Sequence, residues 1–205
     1  MGIVGLRLVR ELRGVSCLEL EQCPAPKQSL TCSRAFGTSI STLTEMEEAV
    51  SFYASRVAEK LRGEGQAATV LTVLLTTNEF KDGPQYSTAL TINLPVATDN
   101  THDLIRSARQ GIRKIYKKGY EYKKAGVMLT GLVPLNRVQS DLFDYQDRQR
   151  SNRLMSALDA VNERWGAGTL HDASSGIITE WKTQFHRRSP AYTTHWDALP
   201  MVKAG

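Results

Sequence analysis

The side chains best equipped for chemistry in this sequence are cationic. Between His102 and Lys124 there are eight Lys and Arg residues against two acids. Arg106, Arg109, Arg113 and Lys117 recur at helical spacing and would form one basic stripe, with Lys118 and Lys123 just beyond it. Such a row can neutralise phosphates, which gives sequence-independent affinity of about 10⁻⁴ to 10⁻⁶ M at physiological salt. A solvated helix face would carry the same row. The net charge of +5 does not decide between them, because it is spread over 205 residues.

Catalytic constellations are missing. There is no GxSxG, Walker loop, GxGxxG or HExxH pattern. His102, His171, His186 and His195 lack a metal-ligand spacing. Asp141, Asp144 and Asp147 recur at every third position within a polar stretch, where solvated carboxylates are the plainer reading. Glu45, Glu47 and Glu48 fall in the first turn of an expected helix, where acids complement the dipole. Nucleotidyl transfer needs carboxylates holding two metals about 3.5–4 Å apart in a cleft, and nothing here offers that. Cys17, Cys23 and Cys32 are an odd set without a CxxC pair, as in a reduced, cytoplasmic protein.

The elements that must position the cations follow from periodicity. Residues 3–13 place Val4, Leu8 and Leu12 on one helical stripe, closed by Gly14, and residues 17–27 read as an extended connector. Residues 28–37 alternate as a strand, with Ser29, Thr31, Ser33 and Ala35 on one side and Leu30, Cys32, Arg34 and Phe36 on the other. Thr44 and Glu47 form a capping box for a helix carrying Met46, Val50, Tyr53, Val57 and Leu61, ended by Gly63. Residues 68–76 are a buried strand, and residues 86–94 a strand with Ser87, Ala89, Thr91 and Asn93 on a small, polar, uncovered face. A helix capped by Asp99 or Thr101 and a strand over residues 123–133 complete βαββαβ. That order predicts an α+β, ferredoxin-like fold, with a four-stranded antiparallel sheet and both helices on one face. Beyond Pro134 a polar linker leads to a helix with Leu154, Leu158, Val161 and Trp165 on one face, then a second short helix around Trp181. No apolar run approaches the roughly 20 residues of a membrane span, and the N-terminus, interrupted by Arg7, is not expected to be a signal peptide.

Several strings carry a family resemblance: Arg10-Glu11-Leu12-Arg13-Gly14 with Cys17-Leu18-Glu19-Leu20, Cys32-Ser33-Arg34-Ala35-Phe36-Gly37, Ala58-Glu59-Lys60-Leu61-Arg62, and Tyr122-Lys123-Lys124-Ala125-Gly126-Val127. In the tail, Gly168-Thr169-Leu170 and Ser189-Pro190-Ala191-Tyr192-Thr193-Thr194 continue it. The chain resembles the C-terminal half of Y-family translesion DNA polymerases of the bacterial UmuC type. That resemblance implies a remnant of the thumb helix and connector over residues 1–27 and a little-finger DNA-binding domain over residues 28–134. It implies a linker with a clamp-binding peptide over residues 135–150 and a UmuC-type C-terminal region over residues 151–205.

The resemblance further implies that the open sheet face lies on template-primer duplex, in agreement with the polar strand face and the basic stripe. Ser33, Arg34 and Gly37 match the family's strand motif and join Arg106, Arg109, Arg113, Lys117, Lys118 and Lys123 as candidate DNA contacts. Ala35 stands where the family has serine, and Ala191 where it has arginine. Gln139, Leu142 and Phe143 resemble the family's sliding-clamp peptide, whose two apolar anchors are each worth about 1.5–3 kcal/mol when buried. The tail would dock on a UmuD-type subunit or RecA. The family's palm, with its Mg2+-binding carboxylates, precedes the matched segment, so this chain alone is expected to be inactive and to carry no cofactor. The rival expectation is a stand-alone clamp- or nucleic-acid-binding regulator; an RNA-binding module would want exposed aromatics on the sheet.

Overall fold

A computed structural model describes residues 2–17, 25–139, 148–177, 179–183, 189 and 191–201. Helix α1 (Ile3–Leu12) precedes strand β1 (Ser29–Ile40), helix α2 (Leu43–Gly63), strands β2 (Gln66–Thr77) and β3 (Ser87–Thr98), helix α3 (Thr101–Ile115), strand β4 (Tyr122–Pro134) and helix α4 (Arg148–Trp165). The core is therefore βαββαβ, the α+β ferredoxin-like arrangement that the alternation predicts. Its four strands form one antiparallel sheet in the order β1-β4-β2-β3. Because β1 and β2 each pair antiparallel with β4, they run parallel with β4 between them. That makes β1-α2-β2 one split unit, and β3-α3-β4 repeats the arrangement around β2.

The apolar stripes of the two helices build one core. Met46, Val50, Tyr53, Val57 and Leu61 of α2 and Leu104, Ala108 and Ile112 of α3 meet Leu71, Val73, Leu75, Val127 and Leu129 of the sheet, all buried. Each fully buried aliphatic side chain contributes about 1.5–3 kcal/mol, so this seam fixes which sheet face is covered. The other face carries no described helix.

Helix ends depart from the local pattern. Thr42 caps α2, not Thr44: its hydroxyl accepts the Glu45 N–H at 3.3 Å. The chain turns into the helix two residues earlier, which leaves Glu47 free of the cap. Asn100, rather than Asp99 or Thr101, caps α3 by accepting the His102 N–H at 2.8 Å. The left-handed residue after α2 is Gly65, with φ +63°. Strand β3 continues past Leu94 through Pro95 to Thr98; it is an edge strand, where a missing N–H costs no ladder bond.

The expected face of α4 is also corrected. Met155 and Asn162 are buried, whereas Leu154 and Trp165 are 53% and 62% exposed. Asn162 tolerates burial because its amide brackets Leu170, donating to that carbonyl at 2.9 Å and accepting that N–H at 2.8 Å. Where a second tail helix was expected, the described residues 179–183 instead form a turn. No residue of α1 is buried, and Val4, Leu8 and Leu12 are exposed. Among the described residues, no helix is long and apolar enough to cross a membrane.

Candidate nucleic-acid interface

Strand alternation and register define the uncovered sheet face. Leu71, Val73 and Leu75 pair with Leu129, Val127 and Ala125 on the helix side. The intervening residues therefore share the opposite side: Val70, Thr72, Leu74 and Thr76 of β2, Ser87, Ala89, Thr91 and Asn93 of β3, and Lys124, Gly126, Met128 and Thr130 of β4. Thr31, Ser33 and Ala35 of β1 continue it, opposite Met128, Gly126 and Lys124. Cross-strand hydroxyl pairs, Thr72 to Thr91 at 3.0 Å and Thr76 to Ser87 at 3.3 Å, flank the apolar Leu74 and Met128 on this surface. Its one cation among these residues is the exposed Lys124. Hydroxyls, an amide and an ammonium on an uncovered sheet face can contact sugar and phosphate without reading bases.

The candidate contacts do not all reach this face. Ser33 lies on it. Arg34 points to the helix side of the same edge strand, where its charge acts on Cys32 and Tyr53. Burial pushes the Cys32 thiol above its ordinary value, against the opposing pull of Lys60, Arg34 and Arg56. Lys123 sits at the bulge of β4, between the pairs Thr76 with Lys124 and Thr77 with Tyr122. Its ammonium donates to the Phe36 carbonyl at 2.6 Å, satisfying a backbone group that the bulged edge of β1 leaves unpaired. Lys117 lies over the Tyr86 ring, 4.5 Å from its centroid, and Lys118 is exposed beside it.

The basic stripe of α3 belongs to the helix layer, on the far side of the sheet from Ser87 and Thr91. The stripe and the polar strand face, expected to serve one duplex surface, are separated by the thickness of the sheet. The stripe is also partly neutralised. Glu47 of α2, released from the N-terminal turn, is 8% exposed and accepts from both Arg109 and Arg113. The hydrogen bond from Arg113 holds the Glu47 carboxyl below its ordinary value against burial, and Arg109 adds to it. Arg106 is exposed, with Asp103 3.8 Å away.

Gly37 is engaged by the chain's own tail. Its N–H donates to the Trp181 carbonyl at 2.9 Å, and the Thr183 hydroxyl donates to the Ala35 carbonyl at 2.9 Å. A Cβ at Gly37 would lie 2.6 Å from the Lys182 carbonyl oxygen, so the close approach requires glycine. The tail thereby covers part of the free edge of β1. Trp181 is buried against Phe36, Phe52 and Tyr53, with ring centroids 5.8–6.0 Å apart in edge-on contact. Periodicity in the sequence marked Trp181, Phe36 and Tyr53 separately but not their contact, which spans more than a hundred residues.

Gln139 is exposed, a few residues after β4 ends. Leu142 and Phe143, like Asp141, Asp144, Asp147 and His186, lie outside the described residues.

Comparison with known proteins agrees with this architecture. The impB/mucB/samB family C-terminal domain matches residues 27–142, and a domain of unknown function matches residues 152–202. The chain is 41% identical to Protein SamB of Salmonella typhimurium over 199 residues, covering 96% of this chain and 47% of that protein. It is 40% identical to Protein UmuC of Salmonella typhimurium, with the same coverage of both chains. DNA polymerase IV of Moorella thermoacetica is 28% identical over 180 residues, covering 85% of this chain and 42% of that protein. The chain spans about half the length of the curated relatives it matches most strongly. With the family's C-terminal domain matched across the whole sheet and both of its helices, the chain belongs to the impB/mucB/samB family.

Proposed function

We propose that this chain is the DNA-holding and clamp-binding portion of an error-prone translesion DNA polymerase acting in cytoplasmic DNA repair. The observation that carries the reading is the uncovered sheet face, where Ser33, Thr72, Thr91, Asn93 and Lys124 stand together with no described helix over them. Template-primer duplex lies along this face through sugar and phosphate contacts. Such contacts position without reading sequence, as an enzyme that must accept any damaged template requires. Catalysis belongs to a palm-bearing part with its own Mg2+ carboxylates, outside the residues of this chain. Gln139, Leu142 and Phe143 hold the sliding clamp, raising the effective concentration at the primer end to roughly millimolar. That offsets the weak affinity of a face with few charges. The region over residues 151–205 is the surface for a UmuD-type subunit or RecA.

The test is a salt titration of duplex binding with Lys124→Glu beside Arg106→Glu. Lys124→Glu is expected to weaken binding and flatten the salt slope by about one counterion. Arg106→Glu is expected to act more weakly, through the long-range field alone. Arg109 and Arg113 are poor sites for reversal, because new carboxylates there would face Glu47. A Lys124→Glu protein that binds duplex with unaltered affinity and slope would remove the open face from the interface.

A further inference from the structure

Residues 180–183 pass round the free edge of β1 from one side of the sheet to the other. On the helix side the Trp181 ring is buried against Phe36, Phe52 and Tyr53. Leu30, Phe36 and Ile40 all point to that side, so alternation turns Ala35 and Gly37 to the open face, with Ala35 paired to Lys124. A Cβ placed on Gly37 would meet the Lys182 carbonyl oxygen at 2.6 Å and the Thr183 Cα at 3.2 Å, which puts those two residues on the open side. At the edge between, the Gly37 N–H donates to the Trp181 carbonyl at 2.9 Å and the Thr38 hydroxyl to the Glu180 carbonyl at 3.4 Å. Both β1 groups that these carbonyls hold are donors.

Docking carries penalties of its own. Among the described residues, the buried Trp181 indole N–H has no hydrogen-bond partner, nor has the buried Ser175 hydroxyl in the turn that packs on α2. The Lys182 ammonium lies 4.2 Å from the Phe52 ring centroid and shares that ring with a like charge, the Arg56 guanidinium at 5.4 Å. Burial, and then the charge of Arg56, lower the proton affinity of Lys182. These penalties offset part of what burying Trp181 contributes. All are relieved when the tail lifts, because water reaches both donors and the two cations separate.

We propose that residues 180–183 are an autoinhibitory strap. Docked, their carbonyls hold the β1 donors that a backbone phosphate of duplex would take, so tail docking and duplex binding exclude one another at Gly37. The inference rests on the reading that duplex lies along the open face. Charge sets the direction of the exchange. A phosphate oxygen carries more negative charge than a carbonyl oxygen, so the donors of Gly37 and Thr38, with Lys124 nearby, favour phosphate. The acidic Glu180 leaves with the tail. Docked chains do not compete for duplex, and apparent affinity falls by the undocked fraction.

The experiment follows the Trp181 indole N–H by NMR in the full chain while a short blunt DNA duplex is added. Exchange of that proton with solvent is expected to quicken about tenfold at saturating duplex. The Trp181→Ala protein is expected to bind duplex about tenfold tighter than the parent with the same salt slope. The two factors report one docking equilibrium and should agree. The strap is overturned if saturating duplex leaves indole exchange unaltered. It is also overturned if a Trp181→Ala protein with the Val73 amide still protected binds duplex no tighter. A gain that comes with a steeper salt slope assigns the extra affinity to cations of the freed tail and ends the proposal. Should Trp181→Ala fail to fold, indole exchange in the parent decides alone. Failure of the underlying reading looks different: duplex binding that ignores Lys124→Glu removes the open face, and the strap with it.

Discussion

Arg62 of α2 grips Asp159 of α4 with both prongs of its guanidinium, Nε to Oδ2 at 2.6 Å and Nη2 to Oδ1 at 2.7 Å. The remaining nitrogen, Nη1, donates to the Asp99 carbonyl and the Thr101 hydroxyl at 2.9 and 2.8 Å. One side chain thus joins the end of α2, the start of α3 and the middle of the C-terminal helix. Its side chain is only 9% exposed, and that of Asp159 31%. Arg62→Ala should therefore destabilise the chain by about 2 kcal/mol, below the 3–5 kcal/mol of a fully buried pair because Asp159 keeps some water. Arg62→Lys should recover little, since an ammonium cannot make the two-pronged contact. Urea unfolding, with proteolysis reporting the release of α4, measures both; an Arg62→Ala protein of parental stability would show the junction to be idle.

Gly37→Ala should dislodge the tail while leaving the sheet intact. The added methyl meets the Lys182 carbonyl, and overpacking of this kind costs about 1–3 kcal/mol. Near-UV dichroism of Trp181 should weaken, and hydrogen exchange at the Gly37 amide should quicken, with core amides such as that of Val73 unchanged. Uniform loss of protection across the sheet would place Gly37 in the fold itself rather than at a docking edge.

Glu47 should make stability depend on pH. Its folded carboxyl is held below the ordinary value of 4.5, chiefly by the hydrogen bond from Arg113, with Arg109 assisting. Between the folded and unfolded values the unfolded chain binds more protons, so stability rises with pH in that window. The contribution is complete above the ordinary carboxylate range and disappears as pH falls through the folded value. Glu47→Gln should flatten the stability profile below about pH 4.5. Parallel profiles for parent and variant in urea unfolding would mean that the two arginines do not hold the carboxylate in solution.

On the clamp-binding proposal, Leu142→Ala combined with Phe143→Ala should abolish binding to the sliding clamp, since two buried apolar anchors would supply about 3–6 kcal/mol together. Gln139→Ala should weaken it less. Titration against purified clamp checks this directly, and unchanged affinity for the double variant would remove Leu142 and Phe143 from the proposed contact.

Much of the fold is written in local pattern. Alternation over Ser87, Ala89, Thr91 and Asn93 marks an uncovered strand face, and the Ile105, Ala108 and Ile112 spacing marks the buried side of α3. Both signals are periodic and short-range, so one chain is enough to read them. Cap positions are less legible. Thr42 and Thr44 both precede an acid by three residues, and only the path of the chain out of β1 selects Thr42.

The site divides along the same line. Sequence alone establishes that this chain presents many cations and a small, polar strand face, because composition and alternation are properties of neighbouring residues. Which of those cations are free is decided by partners distant in the chain. Glu47 claims Arg109 and Arg113 across the helix seam, Phe36 claims Lys123, and Trp181 and Lys182 occupy the surroundings of Gly37. Tertiary packing also sets the α3 stripe and the open sheet face back to back, because the apolar sides of α2 and α3 must cover one face of the sheet to leave water.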